Sequence, residues 1–507
     1  MPSKIYSATT FGLDSQLIEV EADLIGESAK FIIVGLPDVA IQEARERIRS
    51  AIKNSDFAFP RRRITVNLAP ADLKKTGPIF DLPIAVSILM IKKIIELSAD
   101  DKQAIFIGEL SLDGKLRPIT GVLAIAILIK KLGLKRLYLP EQNAEEANLI
   151  NGLDVFPVKS LLELINHFKG KKIISKLPPS NKKIISDKFE VQTFQKIKGQ
   201  TQAKRALEIT AAGNHNLLMI GPPGSGKTLL ARALPELLPQ LTLEEALEVT
   251  KIYSVSGLLP SGQPLINNRP FRSPHHTASG TALVGGGSFP KPGEITLAHR
   301  GILFLDELPE FPRSVLENLR QPLEDGVVTV ARASQTLQLP ASFTLIAAAN
   351  PCPCGFLTDP EKECTCLPNQ ILRYQKKVSG PLLDRFDLQI EVPRVKFIDL
   401  QSEISNIEVK NYINRISKAR KIQLERFKNN KILTNSEISS QNIENYCPVD
   451  NEGKQLLKEA MHKLHLSARG YHRVIKVART IADLAESKKI KTEHLAEALQ
   501  FRINQEN

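Results

Sequence analysis

Between a run of apolar residues and a helix-patterned segment stands Gly221-Pro222-Pro223-Gly224-Ser225-Gly226-Lys227-Thr228, and no other stretch of the chain restricts the fold as much. Asn216 to Ile220 reads as a strand and Leu229 to Leu234 as a helix, so the order is strand, glycine-rich loop, helix. The glycines let successive backbone N–H groups turn inward on phosphate oxygens, and the helix N-terminus adds positive potential there. Lys227 has the length to reach β- and γ-phosphates, and the Thr228 hydroxyl suits a Mg²⁺ shell. An α/β core that binds ATP with Mg²⁺ is expected.

Two further strands support that expectation. Gly301-Ile-Leu-Phe-Leu-Asp306-Glu307 is an apolar run that delivers two carboxylates to its carboxyl end. There Asp306 would hold the Mg²⁺ shell and Glu307 would polarise the attacking water. Phe343 to Ala348 reads as another strand and ends at Ala349-Asn350, where a polar side chain can help orient that water. Arg385, in Pro381-Leu-Leu-Asp-Arg-Phe-Asp387, and Arg469, in Ser467-Ala-Arg-Gly470, are the guanidinium candidates for stabilising a transferring phosphoryl group. An ordinary surface ion pair is the alternative for either arginine.

Around this block the 507 residues leave room for further domains. Residues 1–168 alternate short strands, such as Phe31–Val34 and Arg63–Leu68, with helices. One helix shows apolar spacing at Ile41, Ala44, Ile48, Ala51 and Ile52, with Asp38 as its cap and Glu43–Arg47 as an i,i+4 pair. Residues 169–190 read as a basic linker with a possible strand at Lys183–Ser186, residues 191–395 as the nucleotide block, and residues 396–507 as a helical domain. The final strong helix, 467–486, carries an apolar stripe of Val474, Ala478, Ile481 and Ala485. Arg469, Arg473, Lys476 and Arg479 lie on another face, the latter three as working groups or as a solvated basic surface.

A net charge of +13 favours a polyanionic partner. No segment reaches the roughly 18 apolar residues of a membrane helix, and Met-Pro-Ser-Lys opens no secretory signal. Five cysteines, four of them within 352–366, argue against a disulfide framework and for the cytoplasm.

The loop, the acidic pair, Asn350 and the two arginines together resemble the AAA+ superfamily, in the branch of magnesium-chelatase motors and MCM helicases. Phe271-Arg-Ser-Pro-His275-His276-Thr, Pro292-Gly-Glu-Ile-Thr-Leu-Ala-His299, Leu305-Asp-Glu-Leu-Pro-Glu-Phe311 and Asn350-Pro-Cys-Pro-Cys354 narrow the resemblance to the YifB/ComM family of Mg-chelatase-like ATPases. The resemblance implies an AAA+ P-loop core with a C-terminal helical lid. It also implies Asn350 as sensor 1, Arg385 as an arginine finger acting in trans, Arg469 as sensor 2, and a hexameric ring. Lys75-Thr-Gly-Pro78 and Gly108 to Ile119 resemble the proteolytic domain of Lon proteases, so a Lon-protease-like α+β N-terminal domain is expected. Its nucleophile position falls on Ile79 and its lysine position on Leu123, so the catalytic dyad is lacking and no proteolysis is expected.

Candidate DNA contacts are Arg272 and Lys291, in the long connection before Asp306, and Arg332. Arg332 stands at the tip of an expected hairpin formed by Val327–Ala331 and Gln335–Leu339. Arg61-Arg-Arg63 is an anion contact or simply an exposed charged loop. Cys352, Cys354, Cys364 and Cys366 offer four soft thiolates for a structural Zn²⁺, although one-residue spacings are tighter than usual, and free thiols or a redox-sensitive loop are the alternatives. The family resemblance points to an ATP-driven branch-migration helicase on single-stranded or branched DNA, serving recombination or natural transformation. The rivals are a metal-chelatase motor subunit and an ATP-dependent protease or remodelling ATPase.

Overall fold

The computed structural model describes all residues except 1, 27–28, 180–191, 261, 288–290, 332–335, 396–398, 400–404, 429, 431, 465 and 503–507. The expected strand at Lys183–Ser186 lies outside the described residues. The chain forms two compact units, Met1–Ile185 with Leu243–Ile266, and Ser186–Thr242 with Asn267–Asn507.

The first unit is built on a mixed seven-stranded sheet. Its strands are β1 (Ser3–Phe11), β2 (Asp14–Ile25), β3 (Phe31–Val34), β4 (Arg63–Ala69), β5 (Ile105–Phe106), β6 (Arg136–Pro140) and β7 (Asp154–Val158), in the order β3-β4-β2-β1-β5-β6-β7. β1 and β2 form an antiparallel hairpin in the register Ser3↔Ala22 to Phe11↔Asp14, while β3 runs parallel to β4. Helix α1 (Val39–Asn54) buries Ile41, Ala44, Ile48, Ala51 and Ile52, the five positions its spacing picks out, and Asp38 caps it by accepting from Ile41 N. Helix α2 (Asp81–Ile91) is buried from Asp81 to Leu89, as an apolar surface on every side requires.

Arg47 departs from expectation. Its guanidinium does not turn to Glu43; Nε and Nη2 grip Asp81 at 2.8 and 3.0 Å. An exposed helix pair is worth only a few tenths of a kcal/mol, whereas a buried carboxylate without a partner costs several. Asp81 is such a group. Burial pushes its carboxyl up to about 6, against the pull of Arg47 and the Leu110 N–H.

Ile79 and Leu123 are both buried. Leu123, in helix α3 (Val122–Lys131), presents its backbone N–H to Glu146 Oε1 at 2.8 Å. The helix Leu243–Ser256, which follows the nucleotide loop in sequence, belongs to this first unit. Its Ser254 hydroxyl donates to Glu146, and Lys251 pairs with Asp14 at 2.9 Å.

The second unit holds a five-stranded sheet of β8 (Leu217–Ile220), β9 (Phe271–Arg272), β10 (Ile302–Leu305), β13 (Thr344–Ala349) and β14 (Leu388–Glu391). The order is β9-β10-β13-β8-β14 and every pairing is parallel. Between β10 and β13 the chain makes the expected hairpin, β11 (Val327–Ala331) paired antiparallel with β12 (Thr336–Pro340). Its tip, Arg332 included, lies outside the described residues. Helix α4 (Lys227–Leu237) follows β8, and helices α5 (Asn406–Arg426) and α6 (Ala468–Leu484) follow the sheet. Ile416, Ala419, Val474, Ala478 and Ile481 from these two helices share one core with Met219, Phe304 and Ile346 from the strands.

Two features of α6 differ from the sequence-based expectation. Ala485 is not part of the stripe, because the helix stops at Leu484 and the exposed Ala485 is its C-cap, just before Glu486 at φ +54°. Three of the four basic residues are not solvated side chains either. Arg473 donates to Asp387 at 2.7 Å, Lys476 to Ser436 O at 2.9 Å, and Arg479, 1% exposed, to Asp483 at 2.9 Å.

Candidate nucleotide site

The sheet register brings the predicted residues to one edge. Ile220 pairs with Ala349, and Leu305 with Ala347, so Gly221, Asp306 and Asn350 emerge side by side at the carboxyl ends of β8, β10 and β13. In an open parallel sheet that is where ligands bind. The loop backbone explains its glycines. Gly224 and Gly226 lie at φ +79° and +88°, and a Cβ on Gly221 would stand 2.1 Å from Val392 O. Gly221 is thus fixed by packing, while Gly224 and Gly226 take a backbone that lets N–H groups turn on phosphate oxygens, which fits the loop to a nucleoside triphosphate.

Lys227 Nζ reaches across this loop to Gly221 O at 2.6 Å, Pro222 O at 2.8 Å and Asn350 Oδ1 at 3.3 Å. Thr228 Oγ1 donates to Asp306 Oδ2 at 2.8 Å, so the two expected Mg²⁺ ligands already adjoin. Glu307 holds a left-handed backbone, φ +53°, at the end of the apolar strand, and its carboxylate is 55% exposed. Non-glycine residues rarely adopt this conformation, and here it turns Glu307 away from the line of the strand.

Sequence reasoning missed two neighbours. His276 Nδ1 lies 3.5 Å from Glu307 Oε2, so an imidazole given no catalytic role by the sequence stands beside the expected base. Gln200, at φ +48°, donates Nε2 to Ser225 O at 2.6 Å and braces the loop from outside. The His-His string was a usable signal for the first; nothing in the local sequence marks the second.

Burial pushes the Lys227 ammonium down to about 8, with Asp306 and Glu307 opposing. Bound phosphates would favour the charged form. ATP affinity is therefore expected to weaken about tenfold between pH 7 and pH 9, as the lysine loses its proton. The stability sign is opposite. The unfolded chain binds the extra proton between about pH 8 and the ordinary lysine value, so this group makes folding more favourable as pH rises through that window. ATP titrations at the two pH values check the first statement, and a flat affinity would refute it.

Arg385 and Arg469 sit elsewhere. Asn216, just before β8, accepts from Asp387 N and Leu388 N at 2.9 and 3.0 Å and donates Nδ2 to Arg385 O at 3.0 Å. Arg385 thus starts at the amino edge of the sheet, while the phosphate loop leaves the carboxyl edge, a four-residue strand or roughly 13 Å away. Both arginines turn to one carboxylate, Glu324: Arg385 Nη2 donates to it, and Arg469 Nη1 lies 3.2 Å from it. Arg385 is buried with its Nε unpartnered, whereas Arg469 is 60% exposed. Burial lowers the Arg385 guanidinium below its ordinary value. A polar cleft of about 630 Å³ opens beside them, lined by Asn216, Glu324, Asp387, Arg469, Arg473 and Lys476.

Asp387 ties this edge together. Burial would raise its carboxyl, but Arg473, His215 and Lys476 outweigh that and hold it well below the usual range. Asp387→Ala is expected to cost about 3–5 kcal/mol, because half-buried Arg473 would keep only Arg385 O and the Asn216 N–H would lose its acceptor. At 2–4 °C per kcal/mol the melting temperature should drop by roughly 10 °C, and a drop under about 2 °C would show the pair to be dispensable.

The DNA-contact candidates divide. Arg272 is committed within its own unit, with Nε and Nη2 both donating to Glu294 at 2.7 Å, so it does not present a free guanidinium. The competing acid lies 22 residues along, too far for local sequence to reveal. Lys291 is exposed on the short Gly285–Gly286/Lys291–Pro292 ribbon. The four clustered thiols do meet: Cys352, Cys354, Cys364 and Cys366 place all their sulfurs within 4.8 Å of one another.

Strand order, phosphate loop, acidic pair and Asn350 together define an AAA+ P-loop ATPase core. The family description "Magnesium chelatase, subunit ChlI" matches residues 193–400, "Subunit ChlI of Mg-chelatase" residues 20–143, and "Magnesium chelatase, subunit ChlI C-terminal" residues 408–502. The competence protein ComM of Haemophilus influenzae is 44% identical over 506 residues, covering 98% of this chain and 97% of that one. The YifB protein of Escherichia coli is 41% identical over 504 residues, covering 99% and 97%. The chain belongs to the ComM/YifB family of magnesium-chelatase-like AAA+ ATPases. The magnesium-chelatase 38 kDa subunit of Cereibacter sphaeroides is 27% identical over 228 residues, 42% of this chain and 61% of that one. Among the described residues no helix is long and apolar enough to cross a membrane.

Proposed function

We propose that this ATPase is a cytoplasmic ring-shaped motor that moves along DNA, as a branch-migration helicase aiding recombination or natural transformation. The observation that carries the ring is the pairing of Arg385 with Arg469 on Glu324, at the sheet edge away from the phosphate loop of the same chain. Guanidinium groups so remote from their own nucleotide are suited to a neighbour's, and a closed ring of identical interfaces, hexameric by family resemblance, supplies one at every site.

Lys227, Thr228, Asp306, Glu307 and Asn350 then act from one subunit, with Arg385 and Arg469 from the next. When bound, ATP supplies the transferable phosphoryl group and Mg²⁺ offsets its charge. The chain holds the phosphates with backbone N–H groups and Lys227, binds the metal through Thr228 and Asp306, and orients water with Glu307 and Asn350. DNA as the track is supported by the likeness to a competence protein, by the charge of +13, and by the β11–β12 hairpin and the exposed Lys291. The first unit we read as a Lon-type fold without its dyad. Buried Ile79 and Leu123 supply no nucleophile or base, so proteolysis is not expected. The four thiols we read as a structural zinc site.

ATP-dependent migration of a labelled DNA branch, with Lys227→Ala as control, tests the proposal. Movement that needs both ATP and Lys227 supports it. ATP hydrolysis that moves no branch and is indifferent to DNA would end it. A chelatase motor is the second reading, favoured by the three family descriptions, and porphyrin-dependent hydrolysis with partner subunits would select it.

A further inference from the structure

We propose that Cys352, Cys354, Cys364 and Cys366 bind one Zn²⁺ as a tetrathiolate, and that this metal fixes Asn350 against the phosphate loop, so that turnover depends on it. The second half rests on the ATPase reading above.

The sulfur geometry carries the first half. A Zn–S bond of about 2.3 Å in a tetrahedron separates sulfurs by about 3.8 Å. Here Cys352 Sγ lies 3.4 Å from Cys354 Sγ and 3.7 Å from Cys364 Sγ, and Cys354 and Cys364 are 3.6 Å apart. Cys366 Sγ completes the group and accepts from Cys354 N at 3.3 Å. A disulfide would need about 2.05 Å, far less than any of these separations.

The one-residue spacing, unusual for zinc, is accommodated because the chain reverses at Gly355, φ +86°, directly after Cys354. At that reversal the Gly355 N–H closes the turn on Cys352 O at 3.0 Å, and the Cys354 N–H just before it is turned onto Cys366 Sγ. Amide donors of this kind orient metal-bound thiolates and offset their charge. Four protein ligands leave no open position, so the metal is structural.

The coupling follows from what the two ends of this loop touch. Cys352 is two residues beyond Asn350. A Cβ on Gly355 would lie 2.6 Å from Pro223 Cδ and 3.8 Å from Asn350 Cγ, so the turn rests on the phosphate loop itself. Beyond Cys366 the chain enters the helix Pro368–Gln375. From it Gln375 Nε2 donates to Pro351 O, next to Asn350, at 3.4 Å. A metal at the four sulfurs therefore staples together the two segments that clamp Asn350, whose Oδ1 meets Lys227.

Metal analysis of the purified full-length chain is expected to give about one zinc per chain, and Cys364→Ser/Cys366→Ser close to none. Cobalt substitution should produce the visible bands of a tetrahedral thiolate site. The double variant should lose at least about tenfold in kcat for ATP while its ATP affinity changes less than about threefold, because misplacing an orienting group harms turnover more than binding. Stripping and reloading zinc in the unaltered chain gives the same comparison should the double variant fold poorly. Gln375→Ala keeps every sulfur and the Gly355 reversal and should keep zinc while losing turnover, which separates the contact from the metal.

A metal-free chain with four titratable thiols would overturn the site. A zinc-loaded chain whose turnover survives zinc removal would overturn the coupling and leave the ATPase intact. A zinc-loaded chain that never hydrolyses ATP would instead overturn the ATPase reading.

Discussion

Glu307→Gln is expected to cut ATP turnover by about 10²–10⁴-fold while leaving a chain that still binds ATP. Glutamine keeps the size of the side chain and its hydrogen bonding but cannot take a proton from water. The groups that hold the phosphates, Lys227 and the backbone from Gly221 to Thr228, are untouched by the change. Its structural cost should also be small, because the Glu307 carboxylate is 55% exposed and its nearest ionic neighbour is His276 at 3.5 Å. Phosphate release and equilibrium ATP binding, measured on one preparation, separate the two effects. Turnover within threefold of the unaltered chain would remove Glu307 from the role of base. Lost binding would mean that its carboxylate charge serves to hold the bound Mg²⁺ and nucleotide rather than to activate water.

How much of this site was legible in advance depends on how far apart its parts lie. The phosphate loop, Asp306–Glu307 and Asn350 each occupy the end of a short apolar strand, and strand-end position is a local property that a sequence displays directly. The α1 stripe and the β11–β12 hairpin were legible for the same reason. What local pattern could not convey is pairing at a distance. Asp81 draws Arg47 away from Glu43 because a buried carboxylate outweighs an exposed neighbour, and a separation of 34 positions hides the competition. Glu294 engages Arg272 in the same way.

The helix Leu243–Ser256 shows a related difficulty. Its pattern does not say in which unit it is buried, and Leu243–Ile266 joins the first unit although the segments before and after that stretch belong to the second. Glu324 drew no notice in Gln321-Pro-Leu-Glu324-Asp325, an ordinary acidic helix end. It acquires meaning only when two arginines, 61 and 145 residues further on, are found against it.

Those two arginines carry the other large effect. Arg385→Ala should lower the ATPase rate by about 10³-fold or more, the scale on which an arginine acting on a transferring phosphoryl group is felt. Loss alone would not say whose nucleotide Arg385 serves, since a folding defect would also abolish turnover. Mixing resolves this. A ring of Arg385→Ala and Lys227→Ala subunits contains interfaces at which an intact Lys227 of one subunit faces an intact Arg385 of the next. If Arg385 acts across the interface, the mixture of two inactive variants should regain about a quarter of the unaltered rate at random assembly, one interface in four having both groups. If Arg385 serves its own chain, no subunit in the mixture is complete and the rate stays at background. Arg469→Ala should complement Lys227→Ala in the same manner, because both guanidinium groups converge on Glu324 and are carried to the same nucleotide together. Complementation by one arginine variant and not the other would break that pairing, and with it the argument that the shared carboxylate holds them for a neighbour.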